Sequence, residues 1–330
     1  MRHLFTKLLY EMEERHDTVL VTIVSERGSA PRGTGSQMLV GPQGRSCGTI
    51  GGGRVEKHAE ELALAAEGRS CLRHFALDLS GGADSLGMAC GGEVTVLFQS
   101  IPWDSGGWRA VASAALDALG ANRPGWLVLP TDGTAPALLD GSGAVVAGTA
   151  APTQLPARAA LTDGLFCLPL PVGERVVIFG AGHIARALVP LLRTVNFRPV
   201  VFDDRPEYAM AEAFPAAEQV ICGDFRDIQA SLSLEPEDYA AVMTSGHSHD
   251  LEVEAQLLRH ELAYVGVIGS RSKIAYVSQC LRERGISEAA IASVHKPIGT
   301  AIRAVTPEEI AVSIAGELIC VRAARRDIPR

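Results

Sequence analysis

Residues 175–205, RVVIFGAGHIARALVPLLRTVNFRPVVFDDR, constrain the fold of this chain more than any other stretch. The apolar run from Val176 to Phe179 is too short and too β-branched for a helix, and reads as a buried strand. It stops at Gly180-Ala-Gly182-His-Ile-Ala185, a G-x-G-x-x-A turn of the dinucleotide-binding kind. Gly180 makes the tight turn, and Gly182 lets backbone N–H groups approach a pyrophosphate at the helix start. Ala185 is small enough for helix and strand to pack closely. Asp203 lies 21 residues after Gly182, at the end of a second strand, where a carboxylate can accept hydrogen bonds from both ribose hydroxyls. The competing reading is a βαβ unit that keeps these glycines for packing and binds nothing.

The remainder of the second half repeats the alternation. Strands are expected at 199–203, 218–222, 240–244 and 263–268, with helices at 183–195, 225–232, 249–261 and 271–284. That order implies a mostly parallel, doubly wound sheet covered on both faces, with ligands at the carboxyl ends of its strands. Pro190 falls inside the first of these helices and should cost it a hydrogen bond. Two loops at strand ends carry polar side chains. His247, His249 and Asp250 read either as a metal or phosphate site or as a helix cap with solvated imidazoles, the latter favoured. Arg271 and Lys273 put two cations into a first helical turn, where the macrodipole disfavours them unless an anion is bound. Near the end, Thr306, Pro307 and Glu309 spell a capping box with proline in the first turn. The stripe Ile310, Ile314, Leu318 and Val321 should dock on the sheet.

At 330 residues the chain suggests two domains. A proline-rich, aperiodic run at 152–171 sets the boundary, giving 1–170 and 171–330. The net charge of -8 excludes a broad nucleic-acid surface and binding to anionic membranes, leaving small molecules and proteins as partners. No run approaches the length of a membrane span. The seven cysteines are scattered and never in C-x-x-C spacing, which points to a reducing cytoplasm rather than a disulfide framework or zinc site. Six of them are assigned to packing.

The first half reads as a mixed α+β domain rich in glycine loops. A helix opens the chain, and a buried strand at 18–25 runs into a loop holding Arg32, whose fork suits bidentate grasp of a phosphate. A strand ending near Ile50 meets Gly51, Gly52 and Gly53, which open a helix at 54–67. Bare backbone donors there could hold an anion, or the glycines could simply supply positive φ. Cys90 precedes Gly91 and Gly92 before a strand at 93–98. It is either a small buried hydrophobe or a thiol presented to a ligand or metal. A helix at 108–119 and a meander at 126–130, 135–139 and 144–148 complete this half.

Read together, GSAPRGTGSQMLV, GTIGGGRVE, LGMACGG, VVIFGAGHIARAL, VFDDRPE, VGVIGSRSK and TPEEIAVSI resemble the xanthine dehydrogenase accessory proteins of the XdhC/CoxI family. The resemblance covers nearly the whole chain. It implies a cytoplasmic maturation factor, not itself a catalyst, with a Rossmann-like domain after a smaller α+β domain. It also implies binding of the molybdenum cofactor, or molybdopterin, support of its sulfuration with a cysteine desulfurase, and delivery to the xanthine dehydrogenase apoenzyme. The residues then expected to hold the cofactor are Arg32, Gly51, Gly52, Gly53, Glu56 and Cys90 in the first half. In the second they are Gly180, Gly182, Asp203, Arg271 and Lys273. Cys90 is expected near Gly51 and Arg32, at a cleft between the domains, with its sulfur toward molybdenum. An adenine dinucleotide in the second half and a homodimer stay open. So do two other classes, an NAD(P)-dependent oxidoreductase and a nucleotide sensor that transfers no cofactor. Residues 297–303, PIGTAIR, depart from the PIGLDIGA-like run usual in the family.

Overall fold

The computed structural model describes residues 1–65, 70–78 and 91–326. The chain divides into two compact units, Met1–Val172 and Gly173–Arg330.

The first unit opens with helix α1 (Arg2–Glu13), followed by strands β1 (Thr18–Arg27), β2 (Gln37–Gly41) and β3 (Gly44–Gly48). Helix α2 (Gly53–Ala65), strands β4 (Cys71–Leu77) and β5 (Gly92–Ile101), and helix α3 (Gly106–Gly120) come next. Strands β6 (Gly125–Pro130), β7 (Ala137–Asp140), β8 (Val145–Ala147), β9 (Ala160–Thr162) and β10 (Leu165–Pro169) end the unit. They form two antiparallel sheets, β3-β2-β1-β5-β4 and β8-β7-β6-β10-β9. Leu4, Phe5, Leu8 and Met12 of α1 and Trp108 and Val111 of α3 share one core with Leu20 and Leu97 of the first sheet and Leu127 and Phe166 of the second. The opposite face of the first sheet, with Val21, Ile23 and Val96, is closed by Val55, Ala59 and Ala63 of α2. These α2 positions recur every four residues, the spacing that puts them on one helical face.

The run at 152–171 is not aperiodic coil, since two strands that the sequence reading did not place lie in it. It contains β9 and β10, and β10 lies inside the second sheet between β6 and β9. Its Phe166-Cys167-Leu168 core is apolar without alternation because both faces are buried.

The second unit contains β11 (Arg175–Phe179), α4 (His183–Thr194), β12 (Arg198–Asp203), β13 (Gln219–Cys222), β14 (Tyr239–Val242) and α5 (His247–Leu257). It continues with β15 (Tyr264–Val267), α6 (Arg271–Glu283), α7 (Glu288–Ser293) and α8 (Pro307–Arg325). The sheet is parallel throughout, in the order β13-β12-β11-β14-β15. Val176, Ile178 and Val201 face the layer formed by Leu188 and Leu192 of α4 and Ile314 and Leu318 of α8. Val177, Phe179, Val200 and Phe202 face Val253 and Leu257 of α5. Both faces are therefore covered, as apolar strands without alternation require.

The start of α8 follows the expected chemistry. Thr306 accepts a hydrogen bond from the Glu309 amide at 3.2 Å, and Glu309 accepts from the Thr306 amide at 3.1 Å. Two expectations fail. The span 225–232 holds only a 3-10 turn, Ile228–Ala230, because the Asp224 carboxylate takes the Arg226 amide at 2.9 Å and Asp227 has an extended φ of -143°. Nor do the six cysteines all pack, since Cys222 and Cys320 are exposed.

Candidate functional site

The glycine loop of the first unit is held from below by Glu56. One carboxylate oxygen accepts the Ile50 amide at 3.0 Å, the Gly52 amide at 3.1 Å and the Thr49 hydroxyl, while the other meets the Arg45 guanidinium. Burial works to raise the carboxyl, but these hydrogen bonds and the Arg45 charge outweigh it and hold its pKa below the ordinary value. Glu56 thus positions the loop through one oxygen and is itself tied to β3 through the other. Gly51, Gly52 and Gly53 all have positive φ, at 127°, 71° and 63°. At Gly51 an added Cβ would come within 2.6 Å of the Pro31 Cβ, so this glycine and the loop carrying Arg32 meet. Gly52 and Gly53 face open space, with no atom within 4 Å of where a Cβ would stand. Arg32 is exposed. The chain entering β5 reaches the same loop, since a Cβ on Gly92 would lie 2.2 Å from the Ser29 carbonyl oxygen. Cys90 lies outside the described residues.

In the second unit α4, α5 and α6 all begin at the carboxyl edge of the parallel sheet. Gly180, with φ 111°, abuts the Met243 carbonyl, where a Cβ would come within 2.4 Å of the oxygen; its glycine is required by packing. Gly182 is the N-cap of α4, has open space at its Cβ position and provides no side-chain cap. The two glycines of the fingerprint thus have different reasons to be glycine.

Asp203 is fully buried. Its Oδ2 accepts the Ala181 amide at 2.7 Å and Arg205 Nη2 at 2.9 Å, and its Oδ1 accepts the Arg205 amide at 3.0 Å and Nε at 2.8 Å. Burial would raise this carboxyl, but the Arg205 and backbone donors bring its pKa below the usual aspartate value. Both oxygens are committed to the protein, so the carboxylate left for a ligand at the end of β12 is that of Asp204. Asp204 Oδ1 is buried without a hydrogen bond, and so is His249 Nδ1, which lies 4.0 Å from Asp204 Oδ2. The His249 ring packs on Phe225 at 5.4 Å between centroids. Sequence reasoning passed over Asp204 and favoured a capping role for the histidine loop. The available signal was the doubled acid at 203–204, of which only one can turn inward.

The loop after β14 is no simple cap. Asp250 is fully buried, bonded to the Thr244 hydroxyl and ion-paired with the Lys273 ammonium. Lys273, expected to face an anion, therefore already has a carboxylate, and it also lines a cavity of about 690 Å³ with Gly246, Ser272 and Tyr276. Ser270 caps α6 through the Lys273 amide. Arg271 is exposed and makes no ion pair among the described residues. Glu254, one turn beyond Asp250, is 1% exposed with Oε2 unbonded. Burial pushes its pKa up to about 7, opposed by Lys296 and Lys273 and assisted by Asp250. Among the described residues no three His, Cys, Asp or Glu side chains gather to hold a metal ion, and no helix is long and apolar enough to cross a membrane.

Comparison with known proteins agrees with this architecture. The family described as XdhC Rossmann domain matches residues 176–318, and the XdhC and CoxI family matches residues 12–76. A probable xanthine dehydrogenase component of Bacillus subtilis is 28% identical over 98% of both chains. The molybdenum cofactor insertion chaperone PaoD of Escherichia coli is 25% identical, over 92% of this chain and 83% of that protein. The uncharacterized protein YqeB of Escherichia coli is 27% identical over 97% of this chain, which spans only 46% of that relative's length. A solved structure described as a xanthine dehydrogenase from Bacillus halodurans superposes with a TM-score of 0.76 at 26% identity, covering 97% of this chain and 96% of the other.

Proposed function

Because the chain belongs to the XdhC and CoxI family, we propose that it is an accessory factor that binds the molybdenum cofactor in the cytoplasm and delivers it to a xanthine dehydrogenase apoenzyme. The names of two relatives, a cofactor insertion chaperone and a probable xanthine dehydrogenase component, support this reading. The observation that carries it is the carboxyl edge of the parallel sheet. There α4 and α5 begin on glycine caps with no side-chain cap, and two buried polar atoms, Asp204 Oδ1 and His249 Nδ1, make no hydrogen bond. Helix starts favour the phosphate of the cargo, and the open hydrogen-bonding capacity of the acid and imidazole favours its hydroxyl and N–H groups.

In the first unit, Gly52 and Gly53 leave room for a ligand against the backbone, with Arg32 as the adjacent cation. Cys90 is the residue proposed for the metal edge, since a thiolate suits a sulfur-rich soft metal. Support of cofactor sulfuration, with a cysteine desulfurase as partner, belongs to the same proposal. An adenine nucleotide at Gly182 and Asp204 is the second reading, favoured by the open, uncapped start of α4. Metal analysis and mass spectrometry of the purified chain, paired with reconstitution of apo xanthine dehydrogenase, form the test. Molybdenum and a pterin should copurify, and the loaded chain should hasten activation. A chain that carries neither and leaves activation unchanged would overturn the proposal.

A further inference from the structure

The cavity of about 690 Å³ beside α6 is within the range of small-molecule sites, and its wall is of mixed character. Tyr276 is 55% exposed yet forms part of that wall. Gly246 contributes a backbone with φ 110° and nothing within 4 Å of its Cβ position. As the N-cap of α5 it offers no side chain to that helix's first amides. Ser272 and Lys273 stand one turn before Tyr276 on the same helix, and the Lys273 ammonium is held by the buried Asp250 rather than free to swing into solvent. An aromatic face, a fixed cation and an uncapped helix start thus border one volume that is open to solvent.

We propose that this cavity receives a planar heteroaromatic ring joined to a phosphate. Tyr276 is the stacking face, and Ser272, Lys273 and the first amides of α5 form the phosphate wall. The inference rests on the reading that this sheet edge holds an anionic cofactor, and it names the class of group that docks there. Stacking on an aromatic side chain is tolerant of ring identity, because every such ring has a π-face. A nucleotide and the pterin end of the molybdenum cofactor share this chemistry.

Calorimetric titration of the full chain with AMP and, separately, with a pterin monophosphate distinguishes the two sources. At least one probe should bind. Tyr276→Leu should weaken that probe by about tenfold, while Tyr276→Phe, which keeps the ring, should bind nearly as wild type does. Tyr276 is on the surface of α6, so both variants should keep the wild-type melting temperature. Binding of AMP alone assigns the cavity to a nucleotide, and binding of the pterin alone assigns it to the cofactor's ring. If neither probe binds, or if the leucine variant binds as tightly as wild type, the subsite does not exist. Reconstitution of apo xanthine dehydrogenase, run in parallel, separates the two ideas. Success there without probe binding removes only the subsite, and failure with probe binding removes only the delivery role.

Discussion

At Glu56 two oxygens serve four donors, three of them from the loop just before its own helix, so the substitution Glu56→Gln replaces an acceptor by an amide that faces donors. We expect a loss of about 1–3 kcal/mol in urea unfolding at neutral pH. The sign with pH follows from the lowered pKa. Its contribution is present above the unfolded value near 4.5 and is lost as pH falls through the lower folded value, so the variant should lack that acid limb. The two aspartates that end β12 should separate in the same way. Asp204→Ala should weaken nucleotide or cofactor binding by about 1–3 kcal/mol with the melting temperature unchanged. Asp203→Ala, which strands Arg205 and the Ala181 amide, should instead lower the melting temperature. A calorimetric titration beside a thermal melt reads both, and equal effects on the two would refute the division of roles.

The buried pair of acids on α5 gives the element its own pH response. Glu254 has its pKa raised to about 7, so the stability it allows is fully present below about 4.5 and declines as pH rises through about 7. That decline is on the order of 3 kcal/mol, and Glu254→Gln should flatten it when unfolding is followed from pH 4 to pH 8. None of this was legible in the sequence, because Asp250, Glu254 and Lys273 meet only when α5 and α6 pack together. What was legible is local. β11 and α4 could be read from a β-branched run and a glycine turn, and the start of α8 from three side chains within four residues. The helix expected at 225–232 does not form, although Ile228 and Leu232 are buried four residues apart, because the Asp224 side chain holds the chain in a turn there. β10 escaped notice because its partners β6 and β9 determine it, and its flanking prolines imitate a linker.

Across the whole molecule, each unit closes its own cores. The first buries α1 and α3 with its two sheets, and the second encloses its parallel sheet between helix layers. Residues 173–330 expressed alone should therefore unfold cooperatively in urea with native-like circular dichroism, and a fragment lacking a cooperative transition would count against two self-sufficient units. The TM-score of 0.76 to the Bacillus halodurans protein at 26% identity illustrates how such cores keep a fold while most side chains change. The strand order β13-β12-β11-β14-β15 also has a consequence in time. The strand made first, β11, is the middle one, and β14, which covers one of its edges, begins 60 residues later at Tyr239. At ribosomal speeds of about 5–20 residues per second, the Val176-Val177-Ile178 edge waits roughly 3–12 s for its partner during synthesis. Such an apolar edge can recruit strands from other chains in that interval, so this unit is most exposed to aggregation while it is being made.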